Sequence, residues 1–333
     1  MMGSPATPRP RHLLDVDEWS DADIDLVLDE SERHRARGDA RSDTLLGHRV
    51  AMLFAEASTR TRLSFELAAH NLAAETFLIE PGSSSMVKGE TFVDTVRNLD
   101  ALGFDVLVMR HHRAGAPWIA ARYFGGAVVN GGDGWHGHPT QALLDLLTLR
   151  RAFGGADGLR GRKIVIVGDL RHSRVAGSNA LMLTRAGVDL WLCGPPGWLR
   201  DVSPLPITST SDLDAALSGA HAVMGLRVQR ERMRGSAMSG DEYVAQYQIT
   251  EERLKRLAPE ALYLHPGPIN EGVEVTREVA RGPRSLVLEQ VTNGVAVRTA
   301  VLALLGSASP RGVTGPSGSQ TSSATRDLSS LRR

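Results

Sequence analysis

Short, almost continuous runs of Val, Ile, Leu and Ala alternate along the chain with longer stretches in which apolar residues recur every three or four positions. The short runs predict strands at Arg49–Phe54, Thr76–Ile79, Val106–Met109 and Ala127–Asn130. After a gap the pattern resumes at Lys163–Val167, Asp189–Cys193, Ala222–Met224 and Ala261–Leu264. Runs without polar alternation suit strands covered on both faces, which is the condition of a parallel sheet. Helical periodicity predicts helices at Arg60–Leu72, Glu90–Leu102, Pro139–Arg151, Ser173–Ala186 and Glu251–Leu257, with a last helix near Gln290–Leu305. Strand–helix alternation implies an α/β protein with right-handed crossovers. The Gly-rich segment Phe153–Arg162 interrupts the alternation and reads as a boundary. The expected architecture is therefore two doubly wound parallel-sheet domains joined by helices. Residues 11–150 form the first, residues 151–287 the second, and a closing helix over 288–305 packs back on the first. Pro-rich residues 1–10 and the Ser/Gly/Thr-rich residues 306–333 are too polar to pack and are expected as disordered tails.

Composition narrows the class. The 333 residues carry 38 Lys+Arg against 38 Asp+Glu, and that balance argues against general binding to nucleic acid or to a membrane surface. No apolar run reaches the ~18 residues of a membrane span, and residues 1–12 lack the apolar core of a secretion signal. The expectation is a cytoplasmic protein. The one cysteine, Cys193, excludes a disulfide within the chain and a cysteine-based zinc site. It reads as a buried strand residue.

Chemistry concentrates where strands end and helices begin, the position at which ligands bind in open α/β sheets. In Phe54–Phe65 (FAEASTRTRLSF), Ser58, Thr59, Arg60 and Thr61 occupy such a junction. Unpaired helix N–H groups, two or three hydroxyls and a planar guanidinium make an anion site there. Lys88 follows Ser84 by four residues on the Gly/Ser-rich segment SSSMVKGE, and a flexible ammonium on such a loop suits a swinging contact to phosphate. Arg110 stands at the end of the third predicted strand, in VMRHH. In GGDGWHGHPTQ, Pro139 suits a first helical turn, and His138 and Gln141 share one helix face. His136 reads as a capping residue for that helix. The loop lacks a second nearby carboxylate, so no metal is expected. In the second half, Gly168–Arg174 (GDLRHSR) again joins a strand to a helix, but without the G-x-G-x-x-G of a dinucleotide fold. Arg227 and Gln229 lie in GLRVQRER, and Gly267 and Pro268 in HPGPINEGVE.

These segments resemble the aspartate/ornithine carbamoyltransferase family over nearly the whole body of the chain, from about Arg11 to Leu305. The resemblance implies that Ser58, Thr59, Arg60 and Thr61 hold the phosphate of carbamoyl phosphate. Thr61, Arg110 and His138 would meet its carbonyl oxygen, and Gln141 its NH2 group. Ser84 and Lys88 match the mobile loop that enters a neighbouring subunit's site, which implies a homotrimer with shared sites; regulatory chains are left open as further partners. Arg174 would bind the α-carboxylate of the amino acid, oriented by Glu56. Arg227 and Gln229 match the RVQ signature for the side-chain carboxylate of aspartate, with Lys88 also reaching that substrate. The backbone carbonyls near Gly267 and Pro268 would accept from its amine. The ornithine branch instead carries a Cys in the last loop and an SMG signature, and neither is present.

The implied activity is transfer of the carbamoyl group to L-aspartate, the committed step of pyrimidine synthesis, without cofactor. Ala55, Gly225 and Glu271 depart from the family's pattern, in place of a bulky aromatic, a Met and an Arg. Because Gly225 and Glu271 flank the expected acceptor pocket, a carbamoyltransferase of specialised metabolism with another amine acceptor and a non-catalytic homologue stay open at this point.

Overall fold

The computed structural model describes residues 10–38, 40–80, 89–228 and 238–308. The tails expected at 1–10 and 306–333 fall almost wholly outside them, as do Ser84, Lys88 and Gln229. In chain order the first half comprises α1 (Asp21–Arg37), β1 (Arg49–Phe54), α2 (Thr59–Asn71), β2 (Glu75–Ile79), α3 (Phe92–Ala101), β3 (Val106–His111), α4 (Ala116–Tyr123), β4 (Ala127–Asp133) and α5 (Pro139–Ala152). The second half begins with the short α6 (Ala156–Leu159), then β5 (Lys163–Val167), α7 (Arg174–Arg185), β6 (Asp189–Cys193), β7 (Thr208–Thr210), α8 (Leu213–Leu217) and β8 (Ala222–Gly225). It ends with α9 (Gly240–Tyr247), α10 (Glu251–Leu257), β9 (Leu262–Leu264), α11 (Arg277–Ala280) and the long α12 (Val287–Ser307).

Two parallel sheets result. The first has strand order β2-β1-β3-β4 and the second β7-β6-β5-β8-β9. In each, the chain reverses its direction of travel across the sheet next to its first strand, between β1 and β3 and between β5 and β8. Crevices at the carboxyl ends of strands open at such reversals. Phe54 at the end of β1 pairs in register with Arg110 of β3, and the Ala55 N–H donates to the Arg110 carbonyl at 2.8 Å. The first reversal thus sets the Ser58 turn beside Arg110.

All the predicted strands form, with ends shifted by at most three residues. β3 and β4 run further than expected, to His111 and Asp133. α12 is buried along much of its length and packs against α1, α2 and α5. One apolar cluster runs through both halves, joining Met52 and Val108 to Leu143, Ile164 and Val301. The sequence reading places no helix at α1, which is rich in charge. The signals were nevertheless there. Ile24, Val27, Leu28 and Ser31 make one buried stripe, and Ser20 with Asp23 forms a capping box at its start. β7 and α8 were missed because each is too short to show a period.

Candidate active site

The ends of β1 and β3 face those of β5 and β8 across a cleft of about 1050 Å³. Ser58, Thr59, Arg60, Thr61, Arg110, His138, Gln141, Arg174, Arg227, Gly267 and Pro268 all line it. Residues that span more than half of the chain therefore meet at one place.

On the first side, Ser58 is the N-cap of α2, yet its side chain makes no capping hydrogen bond. The first N–H groups of a helix have no intrahelical partners, so the turn is open to an anion. Arg60 extends across the cleft and lies over Gly267. A Cβ on Gly267 would come within 2.5 Å of that guanidinium, and the residue's φ of +66° favours glycine as well. Burial and the neighbouring Arg227 lower the Arg60 pKa from its usual value.

Arg110 is pinned by a bond from Nη1 to the Gly131 carbonyl at 3.1 Å and by Glu56 at 3.5 Å. Burial, with Arg174 nearby, brings its pKa down to about 10. Glu56 also takes Arg174 Nη2 at 2.8 Å, so one carboxylate from the first half holds a guanidinium from each half. Gly132, at φ +117°, fits between these two arginines, since a Cβ there would lie 3.0 Å from Nη1 of each. The glycines of the GGDG segment are thus explained by close approach. Asp133 in that segment accepts from the Gly115 N–H, Asn130 and the Gly137 N–H.

His136 and His138 have different surroundings. His136 does not cap α5. It lies between Asp133 at 3.4 Å and Asp15 at 3.7 Å, and the hydrogen bond to Asp133 raises its pKa. Among the described residues, no group of three or more His, Cys, Asp or Glu side chains could hold a metal ion. His138 occupies the N-cap position of α5, but its ring makes no capping bond and Nδ1 has no hydrogen-bond partner among the described residues. Complete burial, with Arg110, Arg298 and Arg174 around it, holds its pKa well below the usual value. The ring is a neutral imidazole at physiological pH, able to donate one N–H without adding charge.

Gln141 donates from Nε2 to Asp145 at 2.9 Å. Its amide oxygen is therefore the atom left for the cleft. Arg298 of α12 is a cleft residue that sequence reasoning missed. It is 4% exposed, packs over the Phe65 ring at 5.2 Å, and burial brings its pKa down to about 9. An arginine on an otherwise apolar helix face was the signal available.

On the second side, His265 Nδ1 accepts from the Gly267 N–H at 2.8 Å, which puts the ring proton on Nε2, 3.4 Å from the buried Glu274. Glu274 also accepts from the Asn270 N–H at 2.5 Å, and Asn270 Nδ2 donates to the Val228 carbonyl at 2.9 Å. The HPGPIN turn is in this way tied to the segment that carries Arg227.

The two departures beside this pocket prove to be compensated. Gly225 does not line the cleft. The space a Cβ would fill is taken by Tyr263 Oη, 2.4 Å from the Cβ position. Glu271 lines the cleft but is paired with Arg281 at 2.6 Å. Cys193 is buried at the end of β6, with its thiol pushed up to about 12 by burial.

Both halves of the chain match known domains. Residues 11–151 match the carbamoyl-P binding domain, and residues 160–305 the Asp/Orn binding domain, of the family models for aspartate/ornithine carbamoyltransferase. The chain belongs to the aspartate/ornithine carbamoyltransferase family. Among curated relatives, the aspartate carbamoyltransferase catalytic subunit of Roseiflexus sp. (strain RS-1) is 47% identical over 304 residues, covering 88% of this chain and 94% of that protein. The corresponding subunit of Deinococcus radiodurans is 45% identical over 305 residues, covering 90% and 96%. Solved carbamoyltransferases of both branches share the fold. Ornithine carbamoyltransferase from Thermus thermophilus matches with a TM-score of 0.80 at 30% identity, covering 90% of this chain and 99% of that one. Aspartate transcarbamoylase from Trypanosoma cruzi, in complex with carbamoyl aspartate and phosphate, matches with a TM-score of 0.79 at 29% identity, covering 87% and 93%. Because both branches match this well, the carbamoyltransferase fold alone does not select the acceptor.

Proposed function

We propose that this carbamoyltransferase joins carbamoyl phosphate to L-aspartate, giving N-carbamoyl-L-aspartate and phosphate, in the cytoplasmic synthesis of pyrimidines. The observation that carries the reading is the pairing of cationic clusters across the cleft. Arg60 and Arg110 stand at the open N-terminus of α2, and Arg174 and Arg227 on the facing side. The first pair suits the phosphate dianion, and the second suits the two carboxylates of aspartate.

The phosphate sits on Ser58, Thr59, Arg60 and Thr61, completed by Ser84 and Lys88 of a neighbouring subunit. The carbonyl oxygen meets Thr61, Arg110 and neutral His138. Gln141 accepts from the carbamoyl NH2. Aspartate is held by Arg174 and Arg227, with Gln229 and Lys88 assisting, while the carbonyls near Gly267 and Pro268 accept from its α-amine. The neutral amine attacks the carbonyl carbon, and negative charge grows on the carbonyl oxygen. Donors already in place stabilise that charge at no reorganisation cost. The new C–N bond replaces the C–O bond to phosphate, which leaves with the electron pair and takes the amine proton. The balance needs no metal or redox cofactor. Much of the acceleration comes from holding two reactants in contact away from water.

The homotrimer belongs to the same reading. β2 is an edge strand with Phe77 and Leu78 exposed on its two faces, and Leu63 and Leu67 are exposed on α2. These exposed apolar side chains support burial against a second copy. Among the described residues no helix is long and apolar enough to cross a membrane.

Steady-state kinetics with carbamoyl phosphate and a panel of L-aspartate, L-asparagine, L-glutamate and L-ornithine test the assignment. Aspartate should have the highest kcat/KM; a preference for any other acceptor overturns it.

A further inference from the structure

Asp145 lies one helical turn beyond Gln141 on α5 and is fully buried. Among the described residues no Arg or Lys forms an ion pair with it. Three side-chain amides donate to it instead: Gln141 Nε2 at 2.9 Å and Gln290 Nε2 at 2.7 Å, both to Oδ1, and Asn179 Nδ2 at 2.8 Å to Oδ2. These amides come from α5, α12 and α7, so the carboxylate stands where both halves of the chain and the last helix meet. An ionised carboxylate only accepts hydrogen bonds. Each amide must therefore turn its NH2 inward and its oxygen outward. The outward oxygen of Gln290 accepts the His265 N–H at 2.8 Å, at the start of the HPGP turn. The outward oxygen of Gln141 is left for the cleft that Gln141 lines.

We propose that Asp145 is a positioning residue for the transfer reaction: it fixes Gln141 with its amide oxygen toward the NH2 of the carbamoyl donor and, through Gln290, holds the acceptor-side HPGP turn in step with it. This rests on the donor being carbamoyl phosphate. Without Asp145 the Gln141 amide can rotate by half a turn and present NH2 to NH2, which repels the donor at the group that distinguishes it from other acyl phosphates. An asparagine keeps Oδ1 for Gln141 and Gln290. Its own NH2 then faces Asn179, whose Oδ1 has no hydrogen-bond partner among the described residues and can accept after that amide rotates. A leucine offers nothing to any of the three.

Acetyl phosphate is the probe, because a methyl replaces the NH2 that Gln141 would read. The ratio of its dissociation constant to that of carbamoyl phosphate, measured by competition on the full chain, reports Gln141's orientation. One neutral hydrogen bond corresponds to about a three- to tenfold preference for carbamoyl phosphate. Asp145→Leu should lose most of that preference and converge on the ratio of Gln141→Ala. Asp145→Asn should keep it within about twofold of wild type. General damage to the fold weakens both ligands alike and leaves the ratio unchanged, so thermal stability and selectivity separate. If Asp145→Leu fails to fold, Asp145→Ser, too short to reach Gln141, carries the same expectation. An unchanged ratio in the leucine or serine variant, or an equal loss in Asp145→Asn, overturns the proposal. A wild-type chain that binds neither acyl phosphate overturns the functional reading and this inference together.

Discussion

Gly225→Ala adds a single methyl at a site where the structure leaves no room. Its Cβ would stand 2.4 Å from Tyr263 Oη and 3.2 Å from His265 Cδ2. Tyr263 is 1% exposed and cannot swing away. Overpacking of this kind costs about 1–3 kcal/mol, or roughly 2–12 °C in Tm for a domain of this size. The hydroxyl that makes the worst contact has no hydrogen-bond partner among the described residues. Tyr263→Phe alone should therefore be neutral or stabilising by about 1 kcal/mol, since it removes a buried, unsatisfied polar group. With the hydroxyl gone, the remaining contacts are His265 Cδ2 at 3.2 Å and the residue-263 ring Cζ at 3.3 Å, which a shift of a few tenths of an ångström relieves. Gly225→Ala/Tyr263→Phe should then recover at least half of the loss. Denaturant unfolding of the four proteins closes the cycle. A neutral Gly225→Ala, or additive single effects, would refute the argument that Tyr263 is what requires glycine at this position. Donor affinity should stay unchanged in all four, because Gly225 faces the core beneath the cleft.

Arg227→Ala should lower kcat/KM for aspartate by roughly 30-fold or more, from about 2 kcal/mol for a lost carboxylate contact. It should leave carbamoyl phosphate binding intact, whereas Arg60→Ala loses the donor itself; isothermal titration with each ligand separates the two. Mixing inactive Lys88→Ala chains with inactive Arg60→Ala chains, followed by denaturation and reassembly, should restore part of the activity if sites are shared between subunits, and mixed trimers as dead as their parents would contradict that. Asp145 supplies a pH test. Burial raises its carboxyl from 3.8 to about 6, so the fold is favoured below about pH 4 and loses that contribution as pH rises through about 6. The shift corresponds to roughly 3 kcal/mol. The Tm of wild type should fall more steeply between pH 5 and 7 than that of Asp145→Asn, and parallel curves would contradict the assignment.

The sequence alone determined what is local. Strand–helix alternation predicts parallel sheets because a doubly covered strand has to be apolar throughout. The Ser58–Thr61 turn and the His138–Gln141 turn are legible because an anion site at a helix N-terminus is built from neighbours in the chain. Other features depended on which distant segments fold together. Asp145 reads as an ordinary polar residue on a helix until Asn179 and Gln290 arrive from α7 and α12. Arg298 carries no assigned role in the sequence until α12 packs it against Phe65, close enough to act on His138. Gly225 suggests a wider acceptor pocket until Tyr263, from β9, fills the space. The physical reason is the same in each case. A buried polar group or a missing side chain gains meaning only from what satisfies or occupies it, and those partners lie tens to more than a hundred residues away along the chain.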